Sequence, residues 1–317
     1  MRFGAAIAAL AAGAAGIVVA VTLLRSVPGP TSPAASAPAP PAIGAPAARA
    51  IMGGRIATPN DPAFPSPPPD AVVLAREAGS RALALAVKPG LVRVSVVGLS
   101  GAGESGLRVA LRFGRGYLIT PDPCGAGCYQ AEVRGTPDSP VTVTIGGEAY
   151  RFDLPRLPAA DGTAIVRRAT DTWNALRSLV WHERLASSPT NALDTLYWAV
   201  APHSLTYTIA GRSAAVIIGG RRWDRSSPTA PWRMSFQNPP VRQPQPFWQE
   251  ATDAHLLGMS QRVWRVSFFD PTTPAWFEAS IDRTNGRTLE LDMIAASHFM
   301  HDVYGPFDAT LHVTPPT

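Results

Sequence analysis

The strongest constraint on this chain is a period-two alternation of apolar with polar or small residues, recurring in short runs between glycine- and proline-marked turns. Such alternation gives a strand one apolar face. A strand satisfies its backbone only by pairing with others, so the runs must assemble into antiparallel sheets that bury one side. The first runs are Leu83–Val87, which ends at Pro89-Gly90, then Leu91–Val96, Leu107–Phe113, Tyr129–Val133, Val141–Ile145 and Tyr150–Leu154. Short strands at this spacing predict a β-sandwich over residues 71–156.

Residues 161–317 open differently. Ile165, Ala169, Trp173, Leu176 and Val180 fall at helical spacing, with Arg167, Arg168, Asp171 and Arg177 elsewhere on the wheel, which predicts an amphipathic helix. Strand-like runs follow at 195–200, 204–209, 214–218, 262–268, 275–281 and 288–293, the last two joined by an Asp282–Gly286 turn. Their succession predicts an antiparallel meander in which each strand pairs with its neighbour, so this half is α+β.

Ahead of both lies an uncharged run, Phe3–Leu24, flanked by Arg2 and Arg25. As a helix it measures roughly 33 Å, enough for a bilayer core. No small-residue cleavage site follows at once, and Ala35-Ser36-Ala37 is distant and precedes Pro38, so residues 1–25 are expected to be an uncleaved transmembrane signal anchor. Residues 26–70 form a Pro/Ala-rich linker without periodicity, which reads as a solvated spacer.

Apolar residues make up 46% of the chain and charged residues 16%, so a sizeable core is available. Lys88 is the single lysine, and the net charge of +5 is spread without a basic block, which leaves nucleic acid without a binding surface. The two cysteines, Cys124 and Cys128, stand close together. That usage fits an oxidising compartment and one local disulfide, with a pair of soft metal-binding thiolates as the alternative. The folded part is therefore expected on the extracytoplasmic side of a membrane that the chain crosses once.

Catalytic signatures fail one by one. Gly101–Gly106 is formally G-x-G-x-x-G, but the run after it is a strand, whereas a dinucleotide site needs a helix start there. His182-Glu183 has no second histidine at zinc-protease spacing, and neither a G-x-S-x-G elbow nor a P-loop occurs. The chain is expected to be non-catalytic.

Binding residues are easier to nominate. The second half carries Trp198, Trp223, Trp232, Trp248, Trp264 and Trp276 with Phe247, Phe268 and Phe277. In a curved sheet such residues either fill the core alone or also wall an apolar hollow. Trp198, Trp264, Trp276 and Phe277 are the candidate contacts for an apolar ligand. His298-Phe299-Met300-His301 is the most metal-like cluster, since imidazole and thioether suit copper. On a strand, however, His298 and His301 point to opposite faces.

Two segments resemble known families. The Lys88-Pro89-Gly90 turn ahead of Leu91-Val92-Arg93-Val94, with Cys124-Gly125-Ala126-Gly127-Cys128-Tyr129 ahead of a strand, is similar to an immunoglobulin-like module related to YtkA-like domains. That module occurs in the extracytoplasmic part of bacterial copper-resistance D-type membrane proteins, although this chain lacks their multi-helix membrane domain. Trp264–Pro271, Pro274-Ala275-Trp276-Phe277, Ile281–Arg287 and the segment Met293, His298, Met300, Tyr304, Phe307 resemble lipoprotein-carrier folds of the LolA/LppX type. The resemblance implies a half-barrel of antiparallel strands wrapped over helices, with lipid or an acyl chain in its hollow, following the sandwich as in the D-type proteins. The expected partners are thus a membrane and a lipid or other apolar molecule. No cofactor is implied unless copper binds. A copper-handling accessory protein and a structural interaction module are the alternatives.

Overall fold

The computed structural model describes residues 67–240, 242–296 and 298–317. The expected anchor (1–25) and nearly all of the expected linker (26–70) lie outside the described residues. Among the described residues no helix is long and apolar enough to cross a membrane. The chain is mainly β with antiparallel sheets.

The first nine strands are β1 (Val72–Ala78), β2 (Arg81–Lys88), β3 (Leu91–Val97), β4 (Val109–Phe113), β5 (Leu118–Ile119), β6 (Asp122–Gly125), β7 (Cys128–Glu132), β8 (Val141–Ile145) and β9 (Glu148–Phe152). They form a five-stranded sheet, β1-β2-β3-β7-β6, and a four-stranded sheet, β5-β4-β8-β9. Leu83, Leu85, Val92, Val94 and Val96 from one sheet share a core with Leu111, Phe113, Val141, Val143 and Phe152 from the other.

Helix α1 (Thr163–Ala175) follows, buried along Val166, Ala169 and Trp173. It stops at Leu176, whose backbone is extended, so the expectation that the helix reaches Val180 is corrected: Val180 lies in strand β10 (Ser178–Ser188). Leu179, Val180 and Trp181 are buried in succession at the start of β10, a central strand of its sheet, before His182 is exposed on the outer face. The remaining strands are β11 (Asn191–Val200), β12 (Ser204–Ile209), β13 (Ala214–Ile218), β14 (Arg221–Arg225), β15 (Arg233–Phe236), β16 (Thr252–Met259), β17 (Val263–Asp270), β18 (Ala275–Asp282), β19 (Thr288–Ala295) and β20 (His298–Phe307).

These strands form one eleven-stranded sheet, β15-β14-β13-β12-β11-β10-β20-β19-β18-β17-β16. The expected neighbour-to-neighbour meander holds within each half and breaks twice. Strand β10 pairs with β20, joining the halves, and β15 and β16, consecutive in the chain, end up at opposite edges. The connection between them therefore crosses the inner face of the sheet. This strap carries Phe247 and Trp248 into the core, and its Gln243 amide donates to the Pro202 carbonyl. The Trp248 indole donates to Thr170 Oγ1 of α1 at 2.8 Å, and the Gln249 amide donates to Asp270 Oδ2 at 2.7 Å.

The two halves pack sheet on sheet. Leu83, Leu85 and Val87 of β2 point into their own core, while Ala82, Ala84 and Ala86 on the other face meet Phe269, Trp276, Ile294 and Phe299 of the large sheet. Small side chains on one sheet give the large ones opposite room to seat, which is how facing sheets interdigitate.

Candidate functional site

The inner face of the large sheet, under α1 and the strap, is the candidate site. Strand parity assigns each residue to a face. Leu179, Trp181, Glu183 and Leu185 of β10 point inward beside Leu193, Thr195, Tyr197 and Ala199 of β11, and beside Leu205, Tyr207 and Ile209 of β12. Aromatic contacts organise this surface. Trp181 and Tyr197 stack at 4.4 Å, Tyr197 and Tyr207 lie 5.5 Å apart, and Phe268 stacks on Phe277 at 5.0 Å. Each such pair adds about 0.5–1.5 kcal/mol beyond its area burial.

The same parity separates the nominated ligand contacts. Phe277 is buried inside and Trp264 packs half-buried against the same core, flanked by the guanidinium groups of Arg168 and Arg283 at 5.7 and 5.6 Å. Trp276 points the other way, into the contact with the first sheet, 5.9 Å from Phe269. Trp198 shares that outer parity and is half-buried. The four nominees thus do not line one hollow, because 276 and 277 are successive residues of one strand.

A similar correction applies to His298, Met300 and His301. His298 and Met300 are buried on the inner side, whereas His301 is exposed on the outer side and contacts Asp292 Oδ1 through Nδ1 at 2.8 Å. Burial pushes the His298 imidazole below the ordinary histidine range, so it is neutral. Its Nδ1 lies 3.3 Å from the Ala296 carbonyl. Cys124 and Cys128 are joined in a disulfide with Cα atoms 5.0 Å apart.

What sequence reasoning missed is a row of polar side chains on the inner face. Glu183 of β10 stands directly opposite Asp302 of β20 on one side and opposite Thr195 of β11 on the other, and all three are fully buried. Tyr197 donates to Glu183 Oε1 at 3.1 Å, and Tyr304 donates to Asp302 Oδ2. Two carboxylates across a strand pair in a dry core do not both ionise. Burial first, then the charge of Glu183, hold the Asp302 carboxyl well above the usual carboxylate range. The row continues to Arg222 of β14, whose Nη2 donates to the Tyr207 hydroxyl at 3.0 Å and which pairs with Asp224 through Nε and Nη2 at 2.7 and 2.6 Å. The available signal was parity: Trp181-x-Glu183-x-Leu185 and Met300-x-Asp302-x-Tyr304 place acids at inward positions.

Beyond Tyr207 the inner face opens. Tyr207, Ala214, Asp224, Arg225, Arg233 and Met234 are among the residues lining a hollow of about 530 Å3, partly roofed by the loop between β14 and β15. That volume lies within the range of small-molecule sites. Its walls mix apolar surface with the paired Asp224 and two arginines, so it suits a molecule with an apolar body and a polar end.

No protein-family profile and no curated protein matches the sequence. Among solved structures, the chain is similar to LprF from Mycobacterium bovis at 8% identity and a TM-score of 0.36, covering 49% of this chain and 96% of that one. It is also similar to a LolA superfamily protein from Nitrosomonas europaea, at 11% identity and a TM-score of 0.26 over 50% of this chain and 96% of the other. A DUF1329 family protein from Desulfovibrio piger gives 8% identity and a TM-score of 0.27, over 48% and 96%. Likenesses at these scores carry no inference about ligand or activity.

Proposed function

We propose that this chain is a membrane-tethered, non-catalytic binding protein of the extracytoplasmic side that holds a lipid or other apolar molecule in the hollow beside Tyr207. The observation that carries the reading is the hollow itself, about 530 Å3, bordered by Tyr207 at the end of the aromatic core and partly roofed by a loop. Tethering is supported by the uncharged run Phe3–Leu24, and the compartment by a chain whose two cysteines are joined to each other. The two-sheet first domain then acts as an immunoglobulin-like module. Docked through Ala82, Ala84 and Ala86, it braces the outer face of the large sheet and leaves the inner face for the ligand.

The test compares bound mass in two versions of the full chain, purified identically and exchanged into the same detergent. Native mass spectrometry with organic extraction is expected to show a lipid-sized molecule retained on the wild type. It is expected to be lost from Ser235→Trp, whose indole fills the hollow from its lining. Equal retention in both versions, or none in either, would contradict the assignment.

A further inference from the structure

The two edges of the large sheet are treated differently, and the difference points to a docking surface. Edge strand β16 is covered by the segment before α1: Leu256 donates its amide to the Ala160 carbonyl, Gly162 donates to Ala254, and Asp161 bridges His255. Edge strand β15 has no strand on its far side among the described residues. It also presents large apolar side chains to solvent, Met234 at 52% and Phe236 at 70% exposure. Trp223 and Ile218 lie on the same outer face, where Ile218, Trp223, Phe236 and Pro315 line a shallow groove. Sheets ordinarily protect an open edge with charge and short length, not with exposed phenylalanine.

The charge around this edge has one sign. Residues 210–240 contain five arginines, at 212, 221, 222, 225 and 233, against one acid, Asp224. Asp224 is already paired with the buried Arg222, so it neutralises none of the others. Arg212, Arg221 and Arg233 are exposed, and Arg225 lies over the Trp232 ring at 4.7 Å. Arginine combined with half-buried tryptophan and exposed phenylalanine and methionine is the composition of a surface that lies in the headgroup region of an anionic bilayer. There the rings enter the interface and the guanidinium groups meet lipid phosphates.

We infer that the β14–β15 hairpin, Arg221–Phe236, is a docking surface for an anionic phospholipid bilayer. The hollow opens against this same hairpin, since Arg225, Arg233, Met234 and Ser235 all line it. Docking would therefore bring its mouth to the lipid surface. Contact with lipid stands on the edge itself and does not require that the hollow hold a ligand.

The test uses the full chain in nanodiscs, with a bimane on Thr229→Cys in the exposed hairpin loop; Cys124 and Cys128 are already paired and leave the new thiol as the target. In phosphatidylglycerol discs the bimane emission is expected to shift to the blue and to be quenched by headgroup-labelled lipid, several-fold more than in phosphatidylcholine discs. Replacing Arg212 and Arg221 by glutamate, both exposed and neither lining the hollow, is expected to reduce the contact by roughly tenfold or more. Phe236→Ser, which leaves the charge intact, is expected to reduce the blue shift while keeping the lipid preference. Equal signals in the two lipids, or a charge-reversed chain that behaves as the wild type while retaining its circular dichroism, would overturn the inference. Wild-type retention by the hollow in that same chain would show that ligand binding stands without docking.

Discussion

Asp302 and Glu183 face each other across the β10–β20 pair in the buried core. Asp302 is further surrounded by Tyr304, with Tyr197 next to Glu183 and Asp292 on the neighbouring strand. Because its folded carboxyl is raised, the native state binds more protons than the unfolded chain between the ordinary aspartate value, about 3.9, and the raised one. Stability from this group is fully present below that window and is lost as pH rises through it. Asp302→Asn is expected to flatten this slope in denaturant titrations across the window; an unchanged slope would place the proton elsewhere. Gly127 is a second residue with a defined role. Its φ is +69°, and a Cβ there would lie 2.3 Å from the Val96 carbonyl oxygen and 2.6 Å from Gly103 Cα. That close approach explains Gly103 of the false nucleotide motif, which packs against the disulfide loop. Gly127→Ala is expected to cost about 1–3 kcal/mol, read from the denaturation midpoint.

At the scale of elements, strands with one solvated face were legible in the sequence. Val141–Ile145, Ser204–Ile209 and Ala214–Ile218 match their expected bounds. Strands with a stretch buried on both faces, or at an edge, were not. Strand β10 reads Leu179-Val180-Trp181 without alternation, and its apolar residues extend the helical spacing of α1. Strands β14 and β15 carry too many arginines and exposed residues to look like strands, and their pairing comes from the hairpin rather than from a buried face. The ring-to-site assignment failed for the same reason: a count of tryptophans ignores that residues 276 and 277 belong to different cores. The strap was invisible because its course depends on which strands become edges. Trp248 touches Trp173 and Phe268 across the inner face, at 5.6 and 5.4 Å. Trp248→Ala is expected to cost about 3–5 kcal/mol by equilibrium denaturation; a loss below about 1 kcal/mol would mean the strap is not part of the core.

For the whole molecule, alternation at two levels sets the layer order. Leucine and alanine alternate along β2, so one strand serves two cores, its own and the contact with the large sheet. This shared strand is expected to make the halves unfold together. Ala84→Arg places a charge in a dry contact while leaving both inner cores intact, and is expected to split one calorimetric transition into two. A single unshifted transition would show that the halves are not coupled through this face. The polar row and the hollow belong to the inner face, away from that contact. Most of their chemistry was readable only after parity had been fixed by the pairing of β10 with β20.

The central claim is that the hollow beside Tyr207 is where an apolar molecule sits, and the most direct test is to map that contact. A diazirine-bearing fatty acid would be photolysed with the full chain, and the adducts located by peptide mass spectrometry. Adducts on Tyr207, Asp224 or Arg233, suppressed in Ser235→Trp, are the expected result. Adducts confined to the amino-terminal run and to the outer face of the large sheet, with the hollow unlabelled, would contradict the claim.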